Sequence, residues 1–172
     1  MTLAAPESLN NKHDLSAFAC GEPGLNTFLT RRALSNQESG ASRTFVLAAK
    51  NNRVVAYYSL ATGSIEARQA TGKVRRNMPD PIPVMVLGRL AVSLEYQNRK
   101  LGAWLLKDAL LRVLGVAEMV GIRAVLLHAM SDRARAFYLK HGFAASPLDP
   151  TTLMIPLIDV RRELLRSDGT RS

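Results

Sequence analysis

The stretch Val84–Val120, VMVLGRLAVSLEYQNRKLGAWLLKDALLRVLGVAEMV, decides the fold of this chain. It opens with a mostly apolar run from Val84 to Val92, which predicts a buried strand. The polar turn Gln97–Gly102 follows. Apolar residues then recur alternately four and three positions apart, which is the spacing of one helical face: Leu106, Leu110, Val113, Ala117 and Val120.

A strand that runs into a basic, glycine-bearing turn and then into a helix creates an anion site. The first backbone N–H groups of a helix have no partner within the helix, and they point at whatever occupies the turn. In this chain the turn contains Arg99, Lys100 and Gly102. We therefore expect the turn to hold a diphosphate group.

The length of 172 residues and the 47% apolar content predict one globular domain over residues 1–172, with a basic C-terminal tail over about 160–172. A single cysteine, Cys20, excludes an intrachain disulfide. The N-terminus lacks the basic and apolar regions of a signal peptide, and no apolar run reaches the roughly 20 residues of a membrane span. We expect a cytoplasmic protein with no membrane partner.

The net charge is strongly positive. Lys and Arg number 23 against 14 Asp and Glu, which gives +9. Such a balance favours a polyanionic partner, and nucleic acid is the usual one. The alternative is a basic soluble protein without such a partner.

Periodicity and turn residues predict the order helix, β, β, loop, β, α, β, α, β, β. This order indicates a single α+β domain with a mixed sheet. Ser131 or Asp132 can cap the start of the short helix predicted over 132–141, and Gly142 can end it. The predicted segments outside the central stretch are a helix in 21–39, strands 42–50 and 53–62 around the turn Asn51-Asn52, a basic loop 64–83, a strand 123–130, a helix 132–141, and strands 143–146 and 152–159.

These segments resemble the GNAT family of acetyltransferases, and within it the toxins that pair with ribbon-helix-helix antitoxins and acetylate the free amine of aminoacyl-tRNA. The first matching stretch is the specific one, because generic GNAT enzymes lack it. The matching stretches are HDLSAFACGEPGLNTFL at 13–29, SRTFVLA at 42–48, VVAYYSLATG at 54–63, LGRLAVSLEYQNRKLGAWLLKDAL at 87–110 and RAVLLHAMSDRARAFYLKHGFAASP at 123–147.

The resemblance implies a GNAT fold, acetyl-CoA as co-substrate and no metal. It also implies aminoacyl-tRNA and a ribbon-helix-helix antitoxin as partners, and a homodimer. The cofactor contacts that it implies fall on the end of the central strand, on the turn and on the cap of the later helix: Leu90, Ala91, Val92, Gln97, Asn98, Arg99, Lys100, Leu101, Gly102, Ala103 and Ser131.

The turn departs from the family at one position. The family pattern is Gln/Arg-x-x-Gly-x-Gly/Ala, whereas here Gln97 is followed by Lys100 and Gly102, so a lysine replaces the first glycine. Glycine tolerates positive φ and lets the backbone approach a ligand closely. Two outcomes follow: the backbone still cradles the diphosphate while Arg99 and Lys100 add charge, or cofactor affinity falls. The intact strand and helix favour the first outcome.

Tyr138 lies in Ala136–Phe143, AFYLKHGF, which resembles the family's FYxxxGF. The resemblance implies that Tyr138 is the general acid that protonates the leaving CoA thiolate; a tyrosine packed in the core is the alternative. An α-amine has a pKa near ~7.7–8.0, so we expect direct attack on an acetyl carbonyl polarised by N–H groups around Leu90–Val92. Cys20 is not expected to be a nucleophile, and His128 is expected to be structural.

Exposed cations are predicted to contact RNA phosphates. For some of them the alternative is that they belong to a solvated face or bind an acidic segment of the antitoxin. The candidate RNA contacts are Arg31, Arg32, Lys73, Arg75, Arg76 and Arg89.

Three functions stay open: transfer of acetyl to aminoacyl-tRNA, transfer to a protein or small-molecule amine, and a degenerate fold that only binds RNA or protein.

Overall fold

The computed structural model describes residues 3–169, with side chains as far as 164. Seven strands form one sheet in the order β1-β2-β3-β4-β5-β7-β6. The β4–β5 pair is parallel, and the β1–β2, β2–β3, β5–β7 and β6–β7 pairs are antiparallel. The predicted α+β class with a mixed sheet is confirmed. The strands are β1 Glu7–Ser8, β2 Arg43–Ala48, β3 Val54–Ile65, β4 Ile82–Val92, β5 Ala124–His128, β6 Ala144–Ala145 and β7 Thr152–Pro156.

The described residues also form six α-helices, which lie between or after these strands along the chain. A π-helical turn, Phe28–Arg32, joins the first two into one helical segment, as the spacing of apolar residues in 21–39 predicted. The helices are α1 Pro23–Thr27, α2 Ala33–Ser39, α3 Gly72–Arg75, α4 Leu101–Ala117, α5 Asp132–Lys140 and α6 Leu157–Gly169.

The chain divides into two compact units, one of residues 1–61 and 87–109 and the other of residues 62–86 and 110–172. In the first unit, Asn51 and Asn52 take positive φ values of 63° and 58° between β2 and β3. Asparagine tolerates this region better than most residues, which explains the predicted turn. The core of this unit gathers Phe28, Leu29 and Tyr57 with other buried apolar residues.

In the second unit, β4 pairs with β5 from Val84 to Val86. The helix α3 begins after Thr71, whose hydroxyl accepts the Val74 N–H. The Arg123 guanidinium donates to three carbonyls at the end of this helix. The segment 64–83, which was predicted to be a loop, therefore contains a short helix whose C-terminal carbonyl groups accept hydrogen bonds from Arg123. The acceptors of Arg123 are the carbonyl oxygens of Lys73, Val74 and Arg76.

Three predicted features were wrong in extent. The tail predicted over 160–172 is helical in α6 as far as Gly169, because Leu157 and Val160 are buried three positions apart; residues 170–172 lie outside the described part. The short strand β1 precedes the first helix, where the predicted order had no strand. The helix α4 ends at Ala117, which leaves Val120 exposed.

The assignment of residues 1–172 to a single domain stays a prediction. Among the described residues, none of the helices combines the length and the apolar character needed to cross a membrane.

Candidate active site

The turn between β4 and α4 has a backbone that L-amino acids rarely adopt. Asn98 has a φ of 64° and Lys100 a φ of 62°, both in the left-handed region. Glycine occupies this region without a steric penalty. Lys100 therefore takes a glycine-like conformation at the position where the family pattern has its first glycine.

The helix α4 starts directly after this turn. The Trp104 N–H donates to the carbonyl oxygen of Lys100 at 3.2 Å, which is the first hydrogen bond of the helix. By helix geometry, the N–H groups of Leu101, Gly102 and Ala103 have no acceptor within α4. These donors, together with the exposed side chains of Asn98, Arg99 and Lys100, form an anion-binding arrangement.

Gln97 anchors the turn instead of reaching outward with its amide nitrogen. Nε2 donates to the carbonyl oxygens of Cys20 and Val92, both at 2.9 Å. An amide nitrogen has two protons, so both are used within the protein. What Gln97 can offer a cofactor is its Oε1 and its backbone. The Arg99 guanidinium lies over the Tyr96 ring, with 5.1 Å between CZ and the ring centroid.

The end of β4 is fixed by its surroundings. The Ala91 side chain is buried in the core of the first unit, and Leu90 and Val92 are half-buried. Beyond the strand, the Ser93 N–H donates to the carbonyl oxygen of Val55 at 2.8 Å. A strand end held in this way can present backbone groups in a fixed orientation, which is what polarisation of a carbonyl requires.

Tyr138 lies on α5 and is only 8% exposed. Its ring makes edge-to-face contacts with Phe137 and Phe143, at centroid distances of 5.1 Å and 5.5 Å. Burial raises the pKa of the Tyr138 hydroxyl well above its usual value. Within residues 3–164 this hydroxyl has no hydrogen-bond partner. Tyr138 is thus a neutral phenol whose proton is not committed to another group of the protein.

The helix that carries Tyr138 is defined at both ends. The Ser131 hydroxyl accepts the Ala134 N–H at 3.1 Å, so it caps α5 as the sequence predicted. This bond gives Ser131 a structural role. The contact of Ser131 with the cofactor stays a prediction. Gly142 follows the helix with a φ of 95°, a conformation that favours glycine.

The predicted RNA contacts differ in their availability. Arg75 and Arg76 are exposed at the end of α3 and have no ion-pair partner in residues 3–164. Lys73 is paired, with Nζ 2.7 Å from Asp159 Oδ1. The Arg89 guanidinium lies 3.7 Å above the centroid of the Phe28 ring. In the first unit, Arg31 and Arg32 are exposed on the π-helical turn.

The second unit also contains a cavity of about 270 Å³ at the end of β5. His128, Asp149 and Thr152 line it, and they are hydrogen-bonded in series. No pattern in the sequence predicted this arrangement. Asp149 and Thr152 lie more than twenty positions after His128, and no spacing rule connects them.

Residues 41–145 match the profile of the acetyltransferase (GNAT) domain. A "tRNA-acetylating toxin" of Mycobacterium tuberculosis (strain ATCC 25618 / H37Rv) is 47% identical over 158 residues, which cover 92% of this chain and 95% of that protein. This chain belongs to the GNAT acetyltransferase family. The acetyltransferase therefore has the fold that the sequence resemblance implied.

Solved structures give the same fold for the acetyltransferase. AtaT complexed with acetyl-methionyl-tRNAfMet matches with a TM-score of 0.86 and 27% identity, covering 94% of this chain and 98% of that one. A tyrosine-to-phenylalanine mutant of the AtaT toxin, bound to the C-terminus of the antitoxin AtaR and acetyl-CoA, matches with a TM-score of 0.79 and 27% identity. It covers 94% of this chain and 97% of that one.

The left-handed backbone at Lys100 gives a paired prediction for the acetyltransferase. Lys100→Gly is expected to leave the free energy of unfolding unchanged or to raise it by up to about 1 kcal/mol, because the left-handed penalty disappears while glycine adds unfolded-state entropy. Lys100→Val is expected to lower it by about 1–3 kcal/mol, because a β-branched residue fits this region poorly. Urea unfolding of both variants measures the difference. Equal stabilities for the glycine and valine variants would contradict the left-handed geometry.

Two buried tyrosines predict that the acetyltransferase loses stability at high pH. Burial raises the pKa values of Tyr57 and Tyr138 in the folded state, whereas in the unfolded chain they are near ~10. Above that pH the unfolded state releases protons that the folded state retains. These two groups therefore leave the free energy of unfolding unchanged below about pH 10. Above that pH they lower it, by up to about 1.4 kcal/mol per pH unit for each tyrosine.

Urea unfolding between pH 8 and 11 measures this decline. The variant Tyr138→Phe, which removes one of the two phenols, should show a shallower decline than the unmodified protein. Identical slopes would show that Tyr138 does not stay protonated in the folded state.

Proposed function

We propose that this acetyltransferase is a toxin that transfers acetyl from acetyl-CoA to the free α-amino group of an aminoacyl-tRNA and so blocks translation. The observation that carries the proposal is the 47% identity to the tRNA-acetylating toxin, which extends over 92% of this chain and 95% of the relative. The AtaT complex with acetyl-methionyl-tRNAfMet supports the same substrate class. The net charge of +9 suits a polyanionic acceptor.

Acetyl-CoA is proposed to bind at the turn between β4 and α4. The diphosphate is negatively charged, and it would receive the free N–H groups of Leu101, Gly102 and Ala103. Arg99 and Lys100 are exposed and add positive charge. Gln97 would act mainly by holding the turn, since its amide nitrogen already bonds to Cys20 and Val92. Asn98 and Ser131 complete the proposed cofactor contacts.

The proposed reaction is direct attack of the acceptor amine on the acetyl carbonyl. Backbone N–H groups around Leu90–Val92 would stabilise the negative charge that develops on the carbonyl oxygen. The thiolate of CoA then leaves and takes the phenolic proton of Tyr138. Two properties suit Tyr138 to this role: a tyrosine phenol is protonated at neutral pH, and this hydroxyl donates to no other group in residues 3–164.

The acceptor tRNA is proposed to contact the exposed cations by its phosphates. Arg75 and Arg76 are the best candidates because they are exposed and unpaired in residues 3–164, and Arg31 and Arg32 are also exposed. Lys73 is a weaker candidate because Asp159 already neutralises it. Arg89 stacks on Phe28 and could still donate to a phosphate from its edge.

The further partners are proposed from relatives. AtaT is bound to the C-terminus of the antitoxin AtaR, so we propose that an antitoxin neutralises this protein too, and that it is of the ribbon-helix-helix type. We also propose that the toxin is a homodimer and that it acts in the cytoplasm, where charged tRNA is used.

The direct test combines the purified protein, labelled acetyl-CoA and each species of charged tRNA. We expect label on the aminoacyl group of one or a few tRNA species, released as an N-acetyl amino acid after mild base treatment. Uncharged tRNA is the matched control and should stay unlabelled. Absence of label on every charged species, with a protein that binds acetyl-CoA in calorimetry, would refute the proposed acceptor.

A further inference from the structure

The proposed reaction leaves one proton without a destination. When a neutral amine attacks a carbonyl, the nitrogen becomes positively charged and must lose a proton before the product forms. Tyr138 is protonated and supplies a proton to the other side of the reaction, so it cannot also accept this one. A base with a free lone pair is needed, and histidine is the side chain that most often fills this role at neutral pH.

His128 is held in one tautomer by its hydrogen bonds. The Thr152 hydroxyl donates its single proton to Asp149 Oδ2 at 2.8 Å. His128 Nδ1 lies 3.0 Å from the same Thr152 oxygen, which can only accept from it. Nδ1 therefore carries the proton, and Nε2 of the neutral ring has a lone pair. Within residues 3–164, Nε2 has no hydrogen-bond partner.

Asp149 is a fixed carboxylate at the end of this series. Its Oδ1 accepts the Thr151 N–H at 2.9 Å and the Thr151 hydroxyl at 2.8 Å, and its Oδ2 accepts the Thr152 hydroxyl. These bonds lower the pKa of Asp149, so the group is ionised at neutral pH. An ionised carboxylate accepts hydrogen bonds but cannot donate them. The direction of the series, from His128 through Thr152 to Asp149, is thereby fixed.

The histidine faces a cavity that can admit an acceptor. The cavity measures about 270 Å³, just below the usual range for small-ligand sites. Its lining mixes apolar and polar side chains, with His128 and Asp149 as its two ionisable members. His128 itself is exposed. The cavity is also lined by Ile65, Leu126, Leu148, Ser64, Gln69 and Ser146.

We infer that His128 Nε2 is the base that receives the proton of the acceptor amine, that Thr152 and Asp149 position it, and that the cavity binds the aminoacyl end of the acceptor. This inference rests on the proposed transfer to an α-amine. The nitrogen forms a bond to the acetyl carbon, the carbon–sulfur bond breaks, and the thiolate takes the Tyr138 proton. The amine proton passes to Nε2, and exchange with water restores both side chains.

The test measures single-turnover acetyl transfer with saturating acetyl-CoA, using both the charged tRNA and an amino-acid methyl ester as acceptors. His128→Ala should lower the rate by about 10²-fold or more, the usual contribution of a general base. Free imidazole should restore at least about a tenth of the lost rate in proportion to its concentration, because it can enter the vacated space as a replacement base. A histidine with only a structural role would not show this rescue.

A matched pair of threonine variants tests the positioning series. Thr152→Val removes the acceptor of Nδ1–H and is expected to lower the rate by about tenfold. Thr27→Val makes the same change at an exposed threonine on α1 that does not line the cavity, and its rate should stay within about twofold of the unmodified protein. This comparison decides the inference even if His128→Ala does not fold.

Several results would overturn the inference. They are a His128→Ala rate within about threefold of the unmodified protein, a slow rate that imidazole does not raise, or equal rates for the two threonine variants. The ester separates this inference from the proposed function. A protein that acetylates the ester but no charged tRNA refutes the proposed acceptor, while the His128 comparison on the ester remains decisive.

Discussion

Tyr138→Phe is expected to lower kcat by about 10²–10⁴-fold while the fold and the affinity for acetyl-CoA stay unchanged. The phenol donates to no group in residues 3–164, so its removal leaves no unsatisfied partner there. The ring contacts with Phe137 and Phe143 are retained because phenylalanine keeps the same ring. The free energy of unfolding should therefore change by less than about 0.5 kcal/mol at neutral pH.

Two measurements check this expectation. Rapid-mixing kinetics with charged tRNA gives kcat, and growth of cells that produce the variant shows whether the growth arrest expected from the proposed activity is relieved. Thermal and urea unfolding at pH 7 provide the control for the fold. Undiminished growth arrest by a well-folded Tyr138→Phe protein would remove Tyr138 from its proposed role as the acid.

The double variant Arg75→Ala/Arg76→Ala is expected to raise the KM for charged tRNA by about 10–100-fold without changing the Kd for acetyl-CoA. Each exposed guanidinium is proposed to contact one phosphate, and each lost contact should make the slope of log K against log salt shallower by about 0.7–0.9. Both side chains are exposed, so their removal should not disturb the core.

A charge-matched control separates a specific contact from general attraction. Lys12→Ala/Lys50→Ala also removes two exposed positive charges. Both double variants therefore reduce the net charge by two units from +9. If the two double variants raise KM equally, the effect comes from total charge and the contacts at the end of α3 do not exist.

Sequence reasoning succeeded where one local pattern determines the structure. The apolar run and the three- and four-residue spacing specified β4 and α4, and the turn between them was found from its basic and glycine residues. The question raised by Lys100 was also the right one, since the backbone there is left-handed although the residue is not glycine. The intact strand and helix favoured a turn that still cradles the diphosphate, and this stays a prediction. The left-handed backbone at Lys100 shows that the surrounding packing offsets the small cost of the conformation.

Other features were not predicted, for identifiable physical reasons. The apolar pair Leu157 and Val160 was available as a helical signal, but the many charges that follow made the segment resemble a solvated tail. The series from His128 to Asp149 depends on the antiparallel pairing of β5 with β7, which places Thr152 opposite His128. Such pairing is a long-range property, and a single sequence does not display it.

The hydrogen bonds of Arg123 have a consequence for the speed and selectivity of the proposed binding of tRNA. A flexible basic loop would have to lose conformational freedom each time it met a phosphate. Here the carbonyl oxygens of Lys73, Val74 and Arg76 already accept hydrogen bonds from the Arg123 guanidinium. The backbone around Arg75 and Arg76 is therefore ordered before RNA binds. The ordering entropy is thus lost once, during folding. If Arg75 and Arg76 contact tRNA as proposed, these cations would form a rigid template that distinguishes RNA shapes by the spacing of their phosphates.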